Sequence, residues 1–335
     1  MNNVLIEVLK FSFKREIGEW DMIPKLFVLC GLPASGKSTY AKELAEKYNA
    51  NIHASDSIRE ELSGDINNQN INDLVFKTLH RRVKDDLSNG KSCICDSTNI
   101  NYKRRMAFLQ ELNKIPCKKI CILMATPYEE CLKNNANRDR KVPEEVIERM
   151  YRHFDVPDIF EGWGDIQVVY APNSKGKYGS PYAWIENYND YNQENTHHCL
   201  TLGEHCLKAY NYIKTKSKDK TISFYPNELE MATLLHDCGK PFCKTFTNSK
   251  GKVTEQSHYY NHERCGAYDS LFYDYSNYNS GIIPLYIAIL IRLHMMPYFW
   301  EKDNNEKMKN KYRNMWGYIL YDDIMLLHEA DKNAH

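Results

Sequence analysis

A nine-residue stretch near the start of the chain, GLPASGKST at positions 31–39, limits the possible folds more than any other feature. It fits the pattern G-x-x-x-x-G-K-[ST] and lies between an apolar run, KLFVLC, and a helical pattern that begins at Lys37. In that setting Gly31 and Gly36 let the backbone curl so that its N–H groups point at phosphate oxygens. The pattern predicts a phosphate-binding loop between a strand and a helix, as in a parallel α/β sheet.

The same stretch predicts the ligands of a nucleotide. Lys37 would reach the β- and γ-phosphates, Ser38 would ligate Mg²⁺, and the helix N-terminus would add its positive dipole end. We therefore expect ATP or another nucleoside triphosphate, with Mg²⁺, as cofactors. The predicted nucleotide-site residues are Gly31, Ser35, Gly36, Lys37, Ser38, Thr39 and Asp96.

Hydrophobic periodicity divides the chain into parts of different character. Strand-like runs (KLFVLC, KSCICD, KKICILMA, DIQVVY) alternate with helical patterns over 26–170, which predicts a parallel sheet flanked by helices. Residues 171–196 are rich in Gly, Pro, Asn, Ser and Tyr and predict a linker or long connection. Residues 197–335 show helical patterns and predict an all-α domain, and residues 1–25 are an N-terminal extension. One domain with a helical extension is the alternative.

Composition indicates which cellular compartment and which binding partners to expect. Lys+Arg and Asp+Glu are equal at 44 each, so a nucleic-acid partner would require locally clustered cations. The eleven cysteines form no CxxC pair, which indicates reduced thiols in a cytosol. The first residues do not resemble a signal peptide, and no run of about eighteen apolar residues occurs. We expect a cytoplasmic protein with no membrane partner.

The segment ASDSIRE places Asp56 and Arg59 three residues apart at a helix entrance. A carboxylate there can accept a proton from an acceptor hydroxyl, and an arginine can hold a neighbouring phosphate. A capping aspartate and a surface ion pair are the alternative interpretation.

Two further segments carry candidate phosphate-site residues. Asp96 ends a strand-like run, at the sheet edge where α/β ligand sites form, and could orient Mg²⁺ or its waters. Arg138, Arg140 and Lys141 precede a helix that starts after Pro143, and cations on such a segment can close over a transferring phosphoryl group. A solvated basic turn is the alternative.

The ordered set GLPASGKST, SDSIRE, CDSTN and NRDRKVP, spread over about 26–170, resembles the 5′-hydroxyl polynucleotide kinases of nucleic-acid repair. The resemblance implies that Lys37 and Ser38 bind ATP and Mg²⁺ and that Asp56 is the general base on the 5′-hydroxyl. It also implies that Arg59 holds the phosphate next to that hydroxyl, and that Arg138 is a lid arginine on the phosphoryl donor.

This chain departs from that family at one lid position. Family members usually carry a second lid arginine four residues before the one that matches Arg138, where this chain has Asn134. Lys133 or Arg140 are the candidates to replace it.

The second half contains histidines and aspartates at helical positions that point to metal binding. Burying a carboxylate beside an imidazole is costly unless an opposite charge accompanies them, and metal ions supply that charge. A mixed imidazole and carboxylate set suits Mn, Fe, Co, Ni or Zn, and six ligands could hold two ions with Asp237 bridging. Each histidine taken alone is more typical of an ordinary core or surface residue. The six candidates are His205, His236, Asp237, His262, His294 and Asp331.

In their order these residues resemble the HD superfamily of metal-dependent phosphohydrolases over about 197–335. The resemblance implies that His205, His236, Asp237 and Asp331 are core ligands and that His262 and His294 belong to the two-metal subset. Lys240, three residues after Asp237, would contact phosphate. His197 and His198 are outside the core set, although either could touch substrate.

Together the two resemblances imply a bifunctional enzyme that heals nucleic-acid ends. It would phosphorylate 5′-hydroxyl ends and remove 3′ or 2′,3′-cyclic phosphates, with RNA favoured over DNA and an RNA ligase left open as a partner. Two alternatives remain: a nucleoside or small-molecule kinase joined to an HD nucleotidase, and a P-loop nucleotide sensor that regulates an HD hydrolase.

Overall fold

The computed structural model describes residues 23–195, 199–217, 222–278, 281–302 and 305–334. Most of the predicted N-terminal extension, residues 1–22, and the pair His197 and His198 lie outside the described residues. None of the helices in the described ranges combines the length and the apolar character that a bilayer crossing requires.

A five-stranded sheet forms the centre of the first part of the chain, with helices between its strands, as the alternating pattern predicted. Its strand order is β2-β3-β1-β4-β5, so the strand before the phosphate-binding loop is central. β1 pairs in parallel with β3 and β4, and β2 pairs in parallel with β3. The strands are β1 (Lys25–Cys30), β2 (Asn51–Ala54), β3 (Cys93–Asp96), β4 (Lys118–Ala125) and β5 (Asp165–Tyr170).

Helices lie between the strands of this part, as the alternating pattern predicted. The helix after β2 begins at Ser55, so Asp56 and Arg59 occupy its first turns. The helices are α1 (Lys37–Tyr48), α2 (Ser55–Ser63), α3 (Asn72–Ser88), α4 (Tyr102–Glu111), α5 (Tyr128–Ala136) and α6 (Glu144–Arg152).

The core of the sheet is built from near-continuous apolar strands. Phe27 and Leu29 of β1, with Ile120 and Ile122 of β4, pack against the α1 face that carries Leu44. Burying each such side chain fully contributes about 1.5–3 kcal/mol, which fixes α1 against the sheet. The loop before α1 is thereby held at the carboxyl edge of the sheet, where ligands of α/β proteins bind.

The chain divides into two compact units, and the division differs from the predicted boundary. The first unit contains the described residues up to Met124 together with Pro157–Val169. The second contains Ala125–Val156 and the described residues from Tyr170 onward. Helices α5 and α6, with the basic segment between them, therefore belong to the second unit, although the strand–helix rhythm assigned them to the first.

Aromatic packing explains this assignment of α5 and α6. Tyr128 and Tyr151 stack with ring centroids 4.6 Å apart, and Phe242 and Tyr268 of the second unit meet Tyr151 edge-on at 4.9 and 5.9 Å. The Tyr268 hydroxyl also donates a hydrogen bond to the Thr126 carbonyl at 2.7 Å. Such contacts depend on side chains distant in sequence, so periodicity does not reveal them.

The second unit is mainly helical. Its longest helix has a break at Gly317, whose φ of 71° lies in the left-handed region. The helices are α7 (Pro181–Asn187), α8 (Leu202–Ser217), α9 (Pro226–Leu235), α10 (Lys240–Cys243), α11 (His262–Asp269), α12 (Pro284–Leu293), α13 (Met296–Lys302) and α14 (Glu306–Lys332).

An antiparallel strand pair, β6 (Thr245–Thr247) and β7 (Val253–His258), corrects the prediction that this part is all-α. The turn between the strands uses Gly251 at φ 77°, and the Asn248 N–H donates to the Lys252 carbonyl at 2.8 Å. β-branched residues on both sides of a short turn that contains Asn248 and Gly251 are typical of a hairpin. The helical patterns before and after this segment led to the all-α prediction.

The connection over 171–196 is ordered where it is described. It contains α7, and Ser174 and Gln193 are buried within the second unit. The Gln193 carbonyl accepts hydrogen bonds from the hydroxyls of Ser257 and Tyr259. This segment is therefore a packed part of the second unit, in contrast to a free linker.

Candidate functional site

The loop between β1 and α1 has the backbone geometry of a phosphate cradle. Gly36, at φ 89°, precedes α1 in the left-handed conformation, and Ala34 also has a positive φ of 60°. A Cβ at Gly31 would lie 2.7 Å from the Ser35 hydroxyl oxygen and 3.0 Å from the Met124 Cβ, so only glycine fits there. The Lys37 ammonium donates to the carbonyls of Gly31 at 3.1 Å and Leu32 at 2.6 Å. The lysine is thus held over the loop.

Asp96 and Ser38 provide oxygen atoms beside this loop. Asp96 ends β3 and is buried. Burial raises the pKa of Asp96, although a hydrogen bond with Ser38 and the charge of Lys37 oppose the increase. The charge of Asp56 raises the pKa of Asp96 further, so the two carboxylates are close enough to repel each other. A carboxylate and a hydroxyl are the oxygen ligands that Mg²⁺ uses in proteins, so this donor set fits the cation.

Asp56 and Arg59 form a pair on α2. The Arg59 guanidinium donates to the Asp56 carboxylate at 2.7 Å and to the Asn72 side-chain oxygen at 2.8 Å. Its side chain is 5% exposed, whereas that of Asp56 is 51% exposed. The N-cap of α2 is Ala54, which forms no side-chain cap bond, and the Arg59 half of the pair is buried. Within the described ranges, the buried Arg59 Nε has no hydrogen-bond partner.

The turn after β3 is tied to the phosphate loop by Thr98 and Asn99. The Gly31 N–H donates to the Thr98 carbonyl at 3.0 Å, and the Asn99 amide donates to the Leu29 carbonyl at 2.7 Å. Arg105 donates to the Asn99 carbonyl at 2.9 Å and forms a fully buried bidentate pair with Glu161. This buried pair was not predicted, because its partners lie on separate elements with no local signal.

The basic segment after α5 is organised by Asn135. Its side-chain oxygen accepts from the Arg138 Nε at 3.1 Å and from the Val142 N–H at 2.9 Å, and its amide donates to the Val142 carbonyl at 2.7 Å. Arg138 and Arg140 are half-buried in this segment. Since the segment belongs to the second unit, the lid role of Arg138 and Arg140 stays a prediction.

In the second unit, the structure brings together all six candidate metal ligands, hereafter the histidine–aspartate cluster (His205, His236, Asp237, His262, His294 and Asp331). They come from five places in the chain: α8, the end of α9, the start of α11, the end of α12 and the last turns of α14. All six are buried.

The histidine–aspartate cluster consists of two groups that share Asp237. His205, His236 and Asp237 form one group, and Asp237, His262 and His294 form the other. The Nε2 atoms of His205 and His236 lie 3.1 Å apart, and those of His262 and His294 lie 3.3 Å apart. The two Asp237 oxygens face different groups, with Oδ2 3.4 Å from His205 and Oδ1 3.1 Å from His262.

The orientation of the imidazoles fits metal ligation. Each ring places its Nδ1 against a main-chain carbonyl: Thr233 for His236 at 2.7 Å, Tyr259 for His262 at 2.8 Å, Ile291 for His294 at 2.6 Å and Ala334 for His205 at 3.4 Å. Such a contact holds the proton on Nδ1 and leaves Nε2 as the electron-pair donor toward a metal. If these histidines only filled the core, there would be no reason for all four rings to have the same orientation.

The charges of the cluster are also suited to a cation. Burial alone would raise the pKa of Asp237, but Lys240 and the neighbouring imidazoles more than offset it, so the pKa lies well below its ordinary value. Burial and the charges of His262 and His236 lower the pKa of His294 to about 3. Burial would lower the pKa of His236 and His262, but the neighbouring carboxylates, mainly Asp237, more than offset it and raise both pKa values. A cation would therefore bind in exchange for protons on these rings, because an ionised carboxylate and a neutral imidazole are the forms that ligate metals.

Two of the side chains that support the cluster were not predicted. The Lys240 ammonium lies 2.7 Å from Asp237 Oδ2 and donates to the Gln193 side-chain oxygen at 2.8 Å, while its contact with phosphate stays a prediction. The Tyr298 hydroxyl donates to Asp331 Oδ2 at 2.9 Å. Gln193 lies in a segment without periodicity, and Tyr298 is one of 24 tyrosines, so neither gave a distinguishing signal.

Comparison with known proteins concerns mainly the first part of the chain. Residues 26–157 match the family model described as an AAA domain. The L-seryl-tRNA(Sec) kinase of Methanococcus maripaludis is 32% identical over 143 residues, which are 41% of this chain and 55% of that protein. The adenylate kinase of Thermosipho melanesiensis is 30% identical over 149 residues, which are 44% of this chain and 58% of that protein.

Among solved structures, a chain of the Pnkp1/Rnl/Hen1 RNA repair complex matches with a TM-score of 0.33 and 23% identity, covering 38% of this chain and 43% of that chain. The present chain spans little more than half the length of the two kinases above. The match to the AAA-domain model and the two kinase relatives, together with the loop geometry, support a P-loop kinase-type domain over residues 26–157, and such a domain implies ATP and Mg²⁺.

Proposed function

We propose that this protein heals the two ends of a cleaved nucleic-acid strand. Its kinase domain transfers the γ-phosphoryl group of ATP to a 5′-hydroxyl, and its histidine–aspartate cluster hydrolyses a 3′ or 2′,3′-cyclic phosphate. The observation that carries the proposal is the sharing of Asp237 by two buried histidine pairs, in the same chain as a kinase-type phosphate loop. The presence of both Asp56 and Arg59, paired at 2.7 Å, favours phosphoryl transfer over a nucleotide sensor that regulates the hydrolase.

The 5′-kinase half rests on Asp56 and Arg59. In the transfer, the 5′-hydroxyl oxygen bonds to the γ-phosphorus, the bond from that phosphorus to the β-phosphate oxygen breaks, and ADP leaves. The half-exposed Asp56 carboxylate accepts the hydroxyl proton, while the Arg59 guanidinium fixes its orientation at 2.7 Å. Ser38 and Asp96 would hold Mg²⁺, which neutralises charge on the phosphates. Lys37 is positioned to bind the β- and γ-phosphates.

The hydrolase half rests on the histidine–aspartate cluster. His205, His236 and Asp331 would hold one divalent transition metal, His262 and His294 a second, and Asp237 both. When bound, two such ions lower the pKa of water and stabilise the oxygens of a displacement at phosphorus. The candidate ions are Mn, Ni, Co, Fe and Zn. Lys240, held between Asp237 and Gln193, provides a buried cation for a phosphate oxygen.

A strand with a 2′,3′-cyclic phosphate and a 5′-hydroxyl explains why both activities would reside in one chain. Cleavage of RNA by many ribonucleases leaves these ends, and ligation requires that both be converted. RNA ends are therefore the favoured substrate, DNA ends a second one, and an RNA ligase a fitting partner.

The test uses one oligoribonucleotide that carries a 5′-hydroxyl and a 2′,3′-cyclic phosphate. The protein is incubated with it, ATP, Mg²⁺ and either Mn²⁺ or Ni²⁺, and both termini are read by mass spectrometry. We expect a 5′-phosphate and a 3′ end without phosphate. Transfer to free nucleosides with no transfer to the strand would replace the polynucleotide substrate with a small molecule. Failure of both reactions under every metal would end the proposal.

A further inference from the structure

A cavity of about 300 Å³ in the first unit lies between α3, α4 and the turn after β3. Its volume is at the lower end of those that hold small ligands. The cavity is outside the phosphate loop, and neither the nucleotide site nor the Asp56–Arg59 pair accounts for it. We propose that it binds the base of the acceptor strand's terminal nucleoside, an inference that rests on the proposed 5′-kinase activity.

Two residues of the lining contact the reacting groups. Asn72 lines the cavity, and its side-chain oxygen accepts from the Arg59 guanidinium that pairs with Asp56. Thr98 also lines it, and the Thr98 carbonyl accepts from the N–H of Gly31 in the phosphate loop. A ligand in the cavity therefore lies against residues that hold the Asp56–Arg59 pair and the phosphate loop.

Part of the cavity wall is aromatic. Phe76 and His80 of α3 and Phe108 of α4 line it. His80 and Phe108 are stacked with ring centroids 4.2 Å apart, and Phe76 meets His80 edge-on at 6.5 Å. Flat, apolar walls of this kind suit a planar ring, since every base has a face that stacks on aromatic side chains.

Polar groups in the cavity lining can meet the edges of a base. Asn101 and Asp73 line the cavity. The Asn101 side-chain oxygen accepts from the Arg104 N–H at 3.0 Å, so its amide N–H groups are the donors toward a ligand, and the Asp73 carboxylate is an acceptor. Asn99 also lines the cavity, but its side chain is bonded to the Leu29 carbonyl and the Ser97 hydroxyl. Arg104, an exposed cation at the same wall, is suited to the phosphate that follows the terminal nucleoside.

The ligand that combines these features has a hydroxyl, a planar ring and a neighbouring phosphate. A terminal nucleoside of a strand meets all three requirements. An alcohol without a ring would leave the aromatic wall unused.

The first experiment needs no variant. The 5′-phosphorylation of three strands is compared: one with a normal 5′-terminal base, one abasic at the 5′ terminus and one abasic at the third nucleotide. We expect the terminal abasic strand to lose about tenfold in kcat/KM, the usual size of one base–aromatic stack, with the internal abasic strand unaffected. Equal kcat/KM for all three strands would overturn the inference and leave the kinase activity standing.

A second experiment removes the aromatic wall. Phe76→Ala, and Phe76→Leu in case the smaller side chain impairs folding, should raise the KM for the strand, leave the KM for ATP unchanged and abolish the preference for a terminal base. Leu74→Ala is the matched control, since Leu74 lies on the same helix, is 50% exposed and does not line this cavity. A change in the KM for ATP would instead assign the cavity to the phosphoryl donor.

Binding measured without ATP separates this inference from the proposed function. Fluorescence anisotropy of the same strands, labelled at their 3′ ends, reports affinity without chemistry. Binding that depends on the terminal base but yields no phosphorylation would sink the 5′-kinase activity and support a base site. Phosphorylation with neither binding nor turnover dependent on the terminal base would support the 5′-kinase activity and overturn the base site.

Discussion

The phosphate loop and the histidine–aspartate cluster both gather charge around phosphate chemistry, but they are built differently. The loop uses main-chain geometry within nine consecutive residues, and Asp56 beside it is half-exposed. The cluster uses six buried side chains from five segments. The first site is set mainly by backbone conformation, whereas each residue of the second depends on its neighbours. Substitutions should therefore have different consequences at the two sites.

The largest effect is expected at Asp237, which both groups of the cluster share. Asp237→Asn keeps the shape but removes the charge that both cations would need. Phosphate hydrolysis should fall by more than the roughly 10–100-fold that loss of an outer partner of a metal ligand causes. Metal content, measured by elemental analysis after loading with Mn²⁺ or Ni²⁺, should fall with it.

The control for Asp237 is Asp323→Asn. Asp323 is a buried carboxylate of the same unit that accepts from the Tyr286 hydroxyl at 2.7 Å and lies outside the cluster. It should retain metal and hydrolysis. Loss of 5′-kinase activity in Asp237→Asn would contradict the separation of the two sites.

Asp56 should show the next largest effect, on the other activity. Asp56→Ala removes the proposed general base, so the rate of phosphoryl transfer should fall about 10²–10⁴-fold while the KM for ATP changes little. Glu60→Ala is the control, because Glu60 is an exposed acid on the same helix. If Asp56→Ala transfers phosphoryl groups at the normal rate, the P-loop is better explained as a nucleotide sensor.

A smaller effect is expected at Gln193, which acts through Lys240. Gln193→Met removes the oxygen that accepts from the Lys240 ammonium at 2.8 Å, so hydrolysis should fall about tenfold with metal content unchanged. Gln193→Glu keeps an acceptor and should retain more activity than Gln193→Met. Gln256→Met, at an exposed position of β7, is the control. Loss of metal in Gln193→Met would mean that Gln193 supports the ligands rather than Lys240.

The two sites also differ in how far the sequence predicts them. The phosphate loop and the flanking strands follow from local patterns, because the glycines and the apolar runs act over a few residues. The six members of the cluster could be predicted as candidate ligands from their order along the chain. Their convergence on Asp237, however, depends on the packing of five helices: α8, α9, α11, α12 and α14. Gln193 and the Arg105–Glu161 pair gave no signal, since their roles arise from tertiary contacts alone. For the same reason, the placement of α5 and α6 with the second unit was not predicted.

Another carboxylate of this unit, the half-buried Asp269 on α11, shows the effect of the positive groups around Asp237. Asp237 has Lys240 and imidazoles around it, and its pKa is held well below its ordinary value. Burial raises the pKa of Asp269 to about 8, with a hydrogen bond from Tyr151 opposing the increase and the charge of Glu129 adding to it. Within the described ranges, the buried Asp269 Oδ1 has no hydrogen-bond partner. Asp269 is therefore largely protonated at neutral pH.

The smallest predicted effect is on stability, and it follows from the sign of that shift. Between the unfolded pKa of about 4 and the folded pKa of about 8, the folded state binds more protons at Asp269 than the unfolded state does. The free energy of unfolding should therefore fall as pH rises through this window, by at most about 1.4 kcal/mol per pH unit, and become constant above it. Asp269→Asn is neutral at every pH and should remove this contribution, so its melting temperature relative to the wild type should rise from pH 5 to pH 8. Asp322→Asn, at an exposed position, should show no such trend. A constant difference for Asp269→Asn across that range would mean that the carboxylate is ionised in the folded protein, and that burial without a cation is tolerated in this unit.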